Sequence, residues 1–338
     1  MQALSYSVAT SAEAAVAQFA EAGGLARYIA GGTNLYDLMK LGIERPIHLI
    51  DVSRIDGMDA IETGGDVLRF GGRALMTDVA YAPVVREQYP VLSESLLKAA
   101  SQQLRNMATV GGNLLQRTRC MYFRNGAGSA SMVGVYPCNK REPGSGCSAI
   151  GGLDRNQAVL GTSEACTAVA PGDWPVALMA MDATIELLGP EGSRIIPVAE
   201  FYRLPGETPD REFNLHPGEL VTAITIRKTH AGLKSTYHKV RDRESYAFAL
   251  ASAAVALEMD GATVRVARIA LGGVATTPWR SPAAEALVVG SSLTPERALQ
   301  AGRAAFTDAR SGEHNAYKIE LGARVIADAL ITAAERRA

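Results

Sequence analysis

Cys120, Cys138, Cys147 and Cys166 are the four cysteines of a 338-residue chain, and all of them fall in one stretch of it. Soft sulfur ligands gathered in this way point to one local site. A disulfide framework fits less well, because disulfide scaffolds are short, cysteine-dense secreted chains. Met1 to Gly24 offers no basic start followed by an apolar core, so no export signal of its own is expected. The cysteines are separated by seventeen, eight and eighteen residues, unlike the paired Cys-x-x-Cys spacing of most zinc sites and bacterial ferredoxins. Four thiolates suit tetrahedral zinc and an iron–sulfur cluster alike, so the spacing leaves the metal open.

Two glycine turns form the other candidate site. Gly31-Gly32-Thr33-Asn34 and Thr109-Val110-Gly111-Gly112-Asn113 each supply consecutive small residues whose amides can converge on an anion, with hydroxyl and amide side chains beside them. Either turn alone reads equally as a tight connection between elements. The pair implies a diphosphate gripped from both sides. Neither matches G-x-G-x-x-G or a P-loop, so a Rossmann dinucleotide site or an NTPase has no support.

Regular elements must hold these residues. Ser11 to Ala22 has a capping serine, acidic first-turn character and helical spacing that ends at Gly23-Gly24. Ala26 to Ala30 reads as a strand running into the first glycine turn, and Leu35 to Leu41 as the helix after it. His48 to Val52 and Val67 to Gly72 read as strands, and Ser93 to Ala108 as one helix. From Arg117 to about Ala170 periodicity fades, and a loop that long needs something to hold it together. Order resumes with a helix over Trp174 to Met181, for which Asp173 is a candidate N-cap. Strands follow at Ala183 to Leu188 and Glu219 to Ile226. A domain boundary is expected near Lys228 to Leu233, followed by a separate, later sheet and helix from Ser235 to Val240, Ala247 to Glu258 and Val264 to Leu271, and an Ala-rich helical end from Glu285. This is a mixed α+β protein. With 47% apolar and 20% charged residues it has the material for two or three globular cores. A net charge of −1 with dispersed Lys and Arg leaves no basic stripe for nucleic acid, and no stretch approaches the ~20 apolar residues of a membrane span.

Ala30-Gly31-Gly32-Thr33-Asn34-Leu35 with Asp37-Leu38-Met39-Lys40, and Arg105-Asn106 ahead of Thr109-Val110-Gly111-Gly112-Asn113-Leu114, resemble the FAD-pyrophosphate loops of the xanthine dehydrogenase family of molybdenum hydroxylases. Further matches follow at Ala170-Pro171-Gly172-Asp173, Ala177-Leu178, Met181-Asp182-Ala183, Tyr237-His238-Lys239-Val240 and Leu271-Gly272-Gly273-Val274-Ala275, so the likeness spans residues 1 to about 330. It implies the FAD-binding fold shared with vanillyl-alcohol oxidase and p-cresol methylhydroxylase (PCMH). Two α+β subdomains would occupy residues 1–228, with an iron–sulfur insertion at 117–170, and a C-terminal α+β domain residues 232–338. Arg27, Tyr28, Ile29, Ala30, Gly31, Gly32, Thr33, Asn34 and Leu35 would line the adenine and pyrophosphate side of FAD, with Thr109, Gly112 and Asn113 opposite. Asp173 would accept a hydrogen bond from the FAD sugar or ribityl chain. Lys239 would lie near the isoalloxazine and stabilise negative charge on its reduced form. Gly161 would bring its backbone close to the flavin.

The residues flanking the cysteines, from Leu114 to Cys120 and from Leu160 to Cys166, look like the aldehyde oxidoreductase branch of the family, whose insertion holds a 4Fe-4S cluster. That implies Cys120, Cys138, Cys147 and Cys166 as its ligands, although Asn125 to Tyr136 is longer than in that branch. Arg117, Arg119, Arg124, Lys140 and Arg141 would offset the negative charge of such a cluster. The implied role is electron transfer beside a molybdopterin-binding large subunit and a small subunit with two 2Fe-2S centres. The complex would be periplasmic by co-export with a twin-arginine-bearing partner, or cytoplasmic. A self-sufficient flavin oxidase of the same fold and a zinc-stabilised scaffold are the rival expectations.

Overall fold

A computed structural model describes residues 3–125 and 136–336. Most of the long Asn125 to Tyr136 stretch therefore lies outside the described residues. Strands β1 (Ser5–Val8), β2 (Ala26–Ile29) and β3 (His48–Asp51) make a parallel sheet in the order β1-β3-β2. The helix Ala12–Glu21 crosses from β1 to β2 and starts where the Ser11 hydroxyl accepts from the Ala14 amide at 3.1 Å. Strand β2 ends directly in Gly31 and Gly32, which puts the first glycine turn at the carboxyl edge of a parallel sheet, where open α/β sheets bind ligands.

Strands β4 (Ile61–Glu62), β5 (Val67–Gly71), β6 (Thr184–Gly189), β7 (Gly192–Pro197) and β8 (Leu220–Arg227) form an antiparallel sheet ordered β4-β5-β8-β6-β7. Alternate residues of β6 are buried, so one face of this sheet closes the largest core, which also contains Phe70, Trp174 and the helices between β5 and β6. The chain leaves at Arg227, makes a short turn over His230–Gly232 and enters a third sheet of β9 (Lys234–Val240), β10 (Ala251–Asp260), β11 (Thr263–Gly272) and β12 (Trp279–Arg280). Strand β10 is apolar on both faces for a reason: Ala254 and Ala256 enter the large core, while Ala253, Val255 and Leu257 pack under the C-terminal helices Pro282–Val288, Pro295–Ala304 and Tyr317–Glu335.

Two expectations need correction. The single helix expected over Ser93 to Ala108 is two, Pro90–Leu97 and Gln102–Arg105, separated by Ala100 at φ +47°. The break frees the carbonyls of Lys98 and Ala99, which then accept from Lys239 (2.9 Å), Arg241 (3.0 Å) and Arg105 (2.7 Å). Local helical spacing yields here to cations that arrive mainly from a strand far along the chain. Nor does Asp173 cap the helix Trp174–Ala180: its backbone is helical and its side chain makes no capping bond, because its carboxylate is engaged elsewhere.

The cysteine segment is tied to the loop that joins the last two helices. Arg310 donates its amide to the Val159 carbonyl at 2.8 Å, His314 its amide to Asp154 at 2.8 Å, and buried Asn315 its side-chain amide to the carbonyls of Gln157 and Ala158 at 3.4 and 3.2 Å.

Candidate functional site

The two glycine turns are neighbours in space. A Cβ on Gly31 would stand 1.8 Å from the Met107 carbonyl oxygen, so only glycine lets the first turn pack against the backbone that leads into the second. Gly32 follows at φ +69°, and this change of backbone hand opens the turn into a nest of amides. The amides of Gly31, Gly32, Thr33 and Asn34 meet no acceptor among the described residues. In the second turn Thr109 caps the short helix Val110–Leu114, accepting from the Gly112 amide at 3.1 Å, and Asn113 is buried. The side-chain oxygens of Asn34 and Asn113 are buried without partners. Four unspent amides and two unspent side-chain groups suit a diphosphate and the hydroxyls beside it, so these residues fit FAD.

Strand alternation divides the residues ahead of the first turn. Tyr28 turns into the core: its ring packs on Phe19, its hydroxyl donates to the Gly218 carbonyl at 2.7 Å, and burial pushes its phenol up. Arg27 pairs with Glu44 at 3.2 Å. Ile29 lies under Gly32, its Cδ1 3.5 Å from where a Cβ there would stand. Gly161 is tight against Thr276, Leu204 and Trp279, with its carbonyl accepting from Thr276 at 2.7 Å.

Asp173 and Lys239 come together although 66 residues separate them. The Lys239 ammonium is 2.8 Å from Asp173 Oδ2, with side-chain exposures of 1% and 7%, and the Tyr237 hydroxyl donates to Asp173 Oδ1 at 2.6 Å. Tyr237 and Lys239 share one face of β9 because they stand two residues apart, and pairing of Lys239 with Ser252 brings the Ser252 hydroxyl to 2.9 Å from the Tyr237 oxygen. Burial, reinforced by Asp173, pushes the Tyr237 phenol well up, so it remains a donor. That alternation marks Tyr237 as a partner of Lys239. Lys98 and Arg241, brought in only by the broken helix, carry no such signal.

A solvent-open cavity of about 550 Å³ runs between the second glycine turn and the cysteines, lined in part by Asn113, Gly172, Thr118, Thr276, Lys140 and Cys166. A second cavity with about 280 Å³ of empty space has all four cysteines in its wall, none of them in a disulfide. Cys138 and Cys166 are buried, and Cys120 and Cys147 are half-buried. Burial raises the Cys166 thiol to about 11, against the pull of Lys140. Burial also raises Cys120, against hydrogen bonds from the Phe123 and Tyr122 amides and from Gln157. These thiols hold their protons until a cation replaces them. Among the described residues no three His, Cys, Asp or Glu side chains converge closely enough to hold a metal ion.

Cations flanking the cysteines are engaged rather than solvated. Arg117 bridges Glu44 at 2.8 Å and Glu212 at 3.0 Å, Arg119 and Arg124 share Asp37 at 3.0 and 2.8 Å, and Lys140 reaches Glu212 at 3.3 Å. Arg141 donates to the carbonyls of Tyr122, Phe123, Asn125 and Tyr136. Because Asp37 and Glu44 lie within or just after the helix that follows the first glycine turn, Arg117, Arg119 and Arg124 tie the cysteine segment to that turn.

Comparison with known proteins bears on the FAD site. Residues 2–228 match the family described as the FAD binding domain in molybdopterin dehydrogenase, and residues 235–333 the carbon monoxide dehydrogenase flavoprotein C-terminal domain. The aldehyde oxidoreductase FAD-binding subunit of Escherichia coli is 47% identical over 98% of this chain and 99% of its own length. The glyceraldehyde dehydrogenase medium chain of Sulfolobus acidocaldarius is 26% identical over 82% of this chain and 79% of its own. A solved carbon monoxide dehydrogenase from Hydrogenophaga pseudoflava superposes with a TM-score of 0.77 at 26% identity, covering 100% of this chain and 99% of the matched one.

Proposed function

The chain belongs to the FAD-binding medium subunits of the molybdenum hydroxylase family, and from that membership we propose that it is the electron-transfer subunit of an aldehyde-oxidising complex that also binds a 4Fe-4S cluster. Its partners on this reading are a molybdopterin-binding large subunit, where substrate is oxidised, and a small subunit with two 2Fe-2S centres. FAD when bound supplies a carrier that takes electrons one or two at a time, and the cluster a one-electron relay.

The carrying observation is the packing of Gly31 on Met107, which joins two amide-rich turns into one site. On this reading the amides of Gly31 to Asn34 hold the diphosphate, and Thr109, Gly112 and Asn113 close it from the other side. Lys239 holds a positive charge in a buried place, and Asp173 and Tyr237 fix where that charge sits. Cys120, Cys138, Cys147 and Cys166 line one cavity and supply the thiolates. Residues 1–228 form the FAD domain in this proposal and residues 232–338 the domain that braces the cysteine segment.

The test compares the isolated chain with the assembled complex under anaerobic conditions. Aldehyde should bleach the flavin band of the complex and leave that of the isolated chain unchanged. Turnover of aldehyde by the isolated chain with a dye acceptor would instead support the self-sufficient oxidase.

A further inference from the structure

Gln157 is buried, 3% exposed, and its side-chain nitrogen stands 3.4 Å from the sulfur of Cys120. Among the described residues it is the side chain that donates to a cysteine sulfur; Cys166 has only the Ala168 amide, also at 3.4 Å. The oxygen of the Gln157 amide has no partner, so the sulfur contact decides which way the amide faces. A thiolate can only accept, and therefore it selects the nitrogen. The backbone here is held from the loop that joins the last two helices: Asn315, 2% exposed, donates to the carbonyls of Gln157 and Ala158, and its own oxygen accepts from the Gly312 amide at 2.7 Å.

We propose that Gln157 raises the reduction potential of the cluster through a hydrogen bond to the Cys120 thiolate, with Asn315 as the positioning residue that keeps it there; this rests on the 4Fe-4S reading above. A reduced cluster is the more negative form, so a donor aimed at a ligand sulfur stabilises it more than the oxidised form and shifts the potential upward. Bracing by Asn315 extends that influence to the C-terminal domain.

The experiment is an anaerobic redox titration of the assembled complex, followed by low-temperature EPR for the cluster and by absorbance for the flavin, with iron and FAD assayed in every sample. Gln157→Met keeps the volume and removes the donor; Gln157→Glu replaces it with a carboxylate. Both should retain the parent's iron and FAD. The cluster midpoint should fall in the first and further in the second, with the flavin midpoint unmoved. Should either substitution shed iron, Asn315→Ala supplies the reading: Gln157 is intact but its backbone is released, and the cluster midpoint should again fall. An unmoved cluster midpoint in Gln157→Met, or in Asn315→Ala where that variant supplies the reading, overturns this proposal alone. So does an equal shift of the flavin midpoint, which would signal a general structural change. A parent without iron overturns the cluster reading and this proposal together.

Discussion

Lys239→Met should unfold the protein more readily than its modest change in volume suggests. Lys239 and Asp173 are buried, with side chains 1% and 7% exposed and 2.8 Å between charged atoms, and they pin β9 to the start of the helix Trp174–Ala180. Removing one partner of a buried ion pair strands the other, at a cost of about 3–5 kcal/mol. Tyr237 still donates to Asp173 in the variant, which places the expected loss near the lower end, about 3 kcal/mol. Asp173→Ala should cost a comparable amount, because Lys239 would keep only the Lys98 carbonyl at 2.9 Å. The double variant should be less destabilised than the sum of the singles by about 2 kcal/mol, the coupling expected of groups in direct contact. Urea unfolding of parent, singles and double, followed by circular dichroism, measures all three. A Lys239→Met midpoint equal to the parent's, or strict additivity in the double, would refute the reasoning, since the pair would then be neither dry nor coupled.

Gly112→Val should lose FAD while keeping most of its metal: an added Cβ stands 2.9 Å from the Thr109 hydroxyl oxygen, so the cap of the second turn must shift, whereas the cysteine cavity has no share in that contact. Full FAD occupancy in the purified variant would contradict this. Lys318 provides a pH test. It is 1% exposed, donates to the Gly273 carbonyl at 2.6 Å, and burial lowers its ammonium from 10.5 to about 8. The folded state therefore binds fewer protons than the unfolded chain between those values, and this residue's contribution to stability rises with pH across that window. Below it the fold carries a cost of about 3 kcal/mol. Lys318→Met should be more stable than the parent at pH 7 by about 2 kcal/mol, after about 1 kcal/mol is lost with the Gly273 hydrogen bond. The difference should shrink and then reverse as pH rises toward 10. A difference that does not change with pH would rule the account out.

The parts of the fold that were legible in the sequence are those fixed by local chemistry. Ser11 caps its helix, Ala26 to Ile29 runs as a strand into Gly31, and the Ala-rich end is helical. The elements missed are held by partners. Ser5–Val8 is polar and at least half exposed, a strand only because it pairs with β3, and Ala100 breaks a helical pattern at the point where Lys239 and Arg241 both take the Lys98 carbonyl. The cysteines announced themselves by type and clustering. Gln157 carried no signal, since an isolated glutamine in an irregular segment looks like any other until the Cys120 sulfur is beside it.

The cofactor content of the purified protein tests the central claim most directly. FAD, iron, acid-labile sulfide and zinc would be assayed in the parent and in single Cys→Ser variants at positions 120, 138, 147 and 166. The account predicts one FAD and about four iron and four sulfide per chain in the parent, the stoichiometry of one cubane cluster, with iron falling in every variant and FAD weakened alongside it. The flavin should suffer because Arg117, Arg119 and Arg124 join the cysteine segment to the helix after the first glycine turn. One zinc and no iron per chain in the parent, or a cysteine variant that keeps its full iron complement, would contradict it.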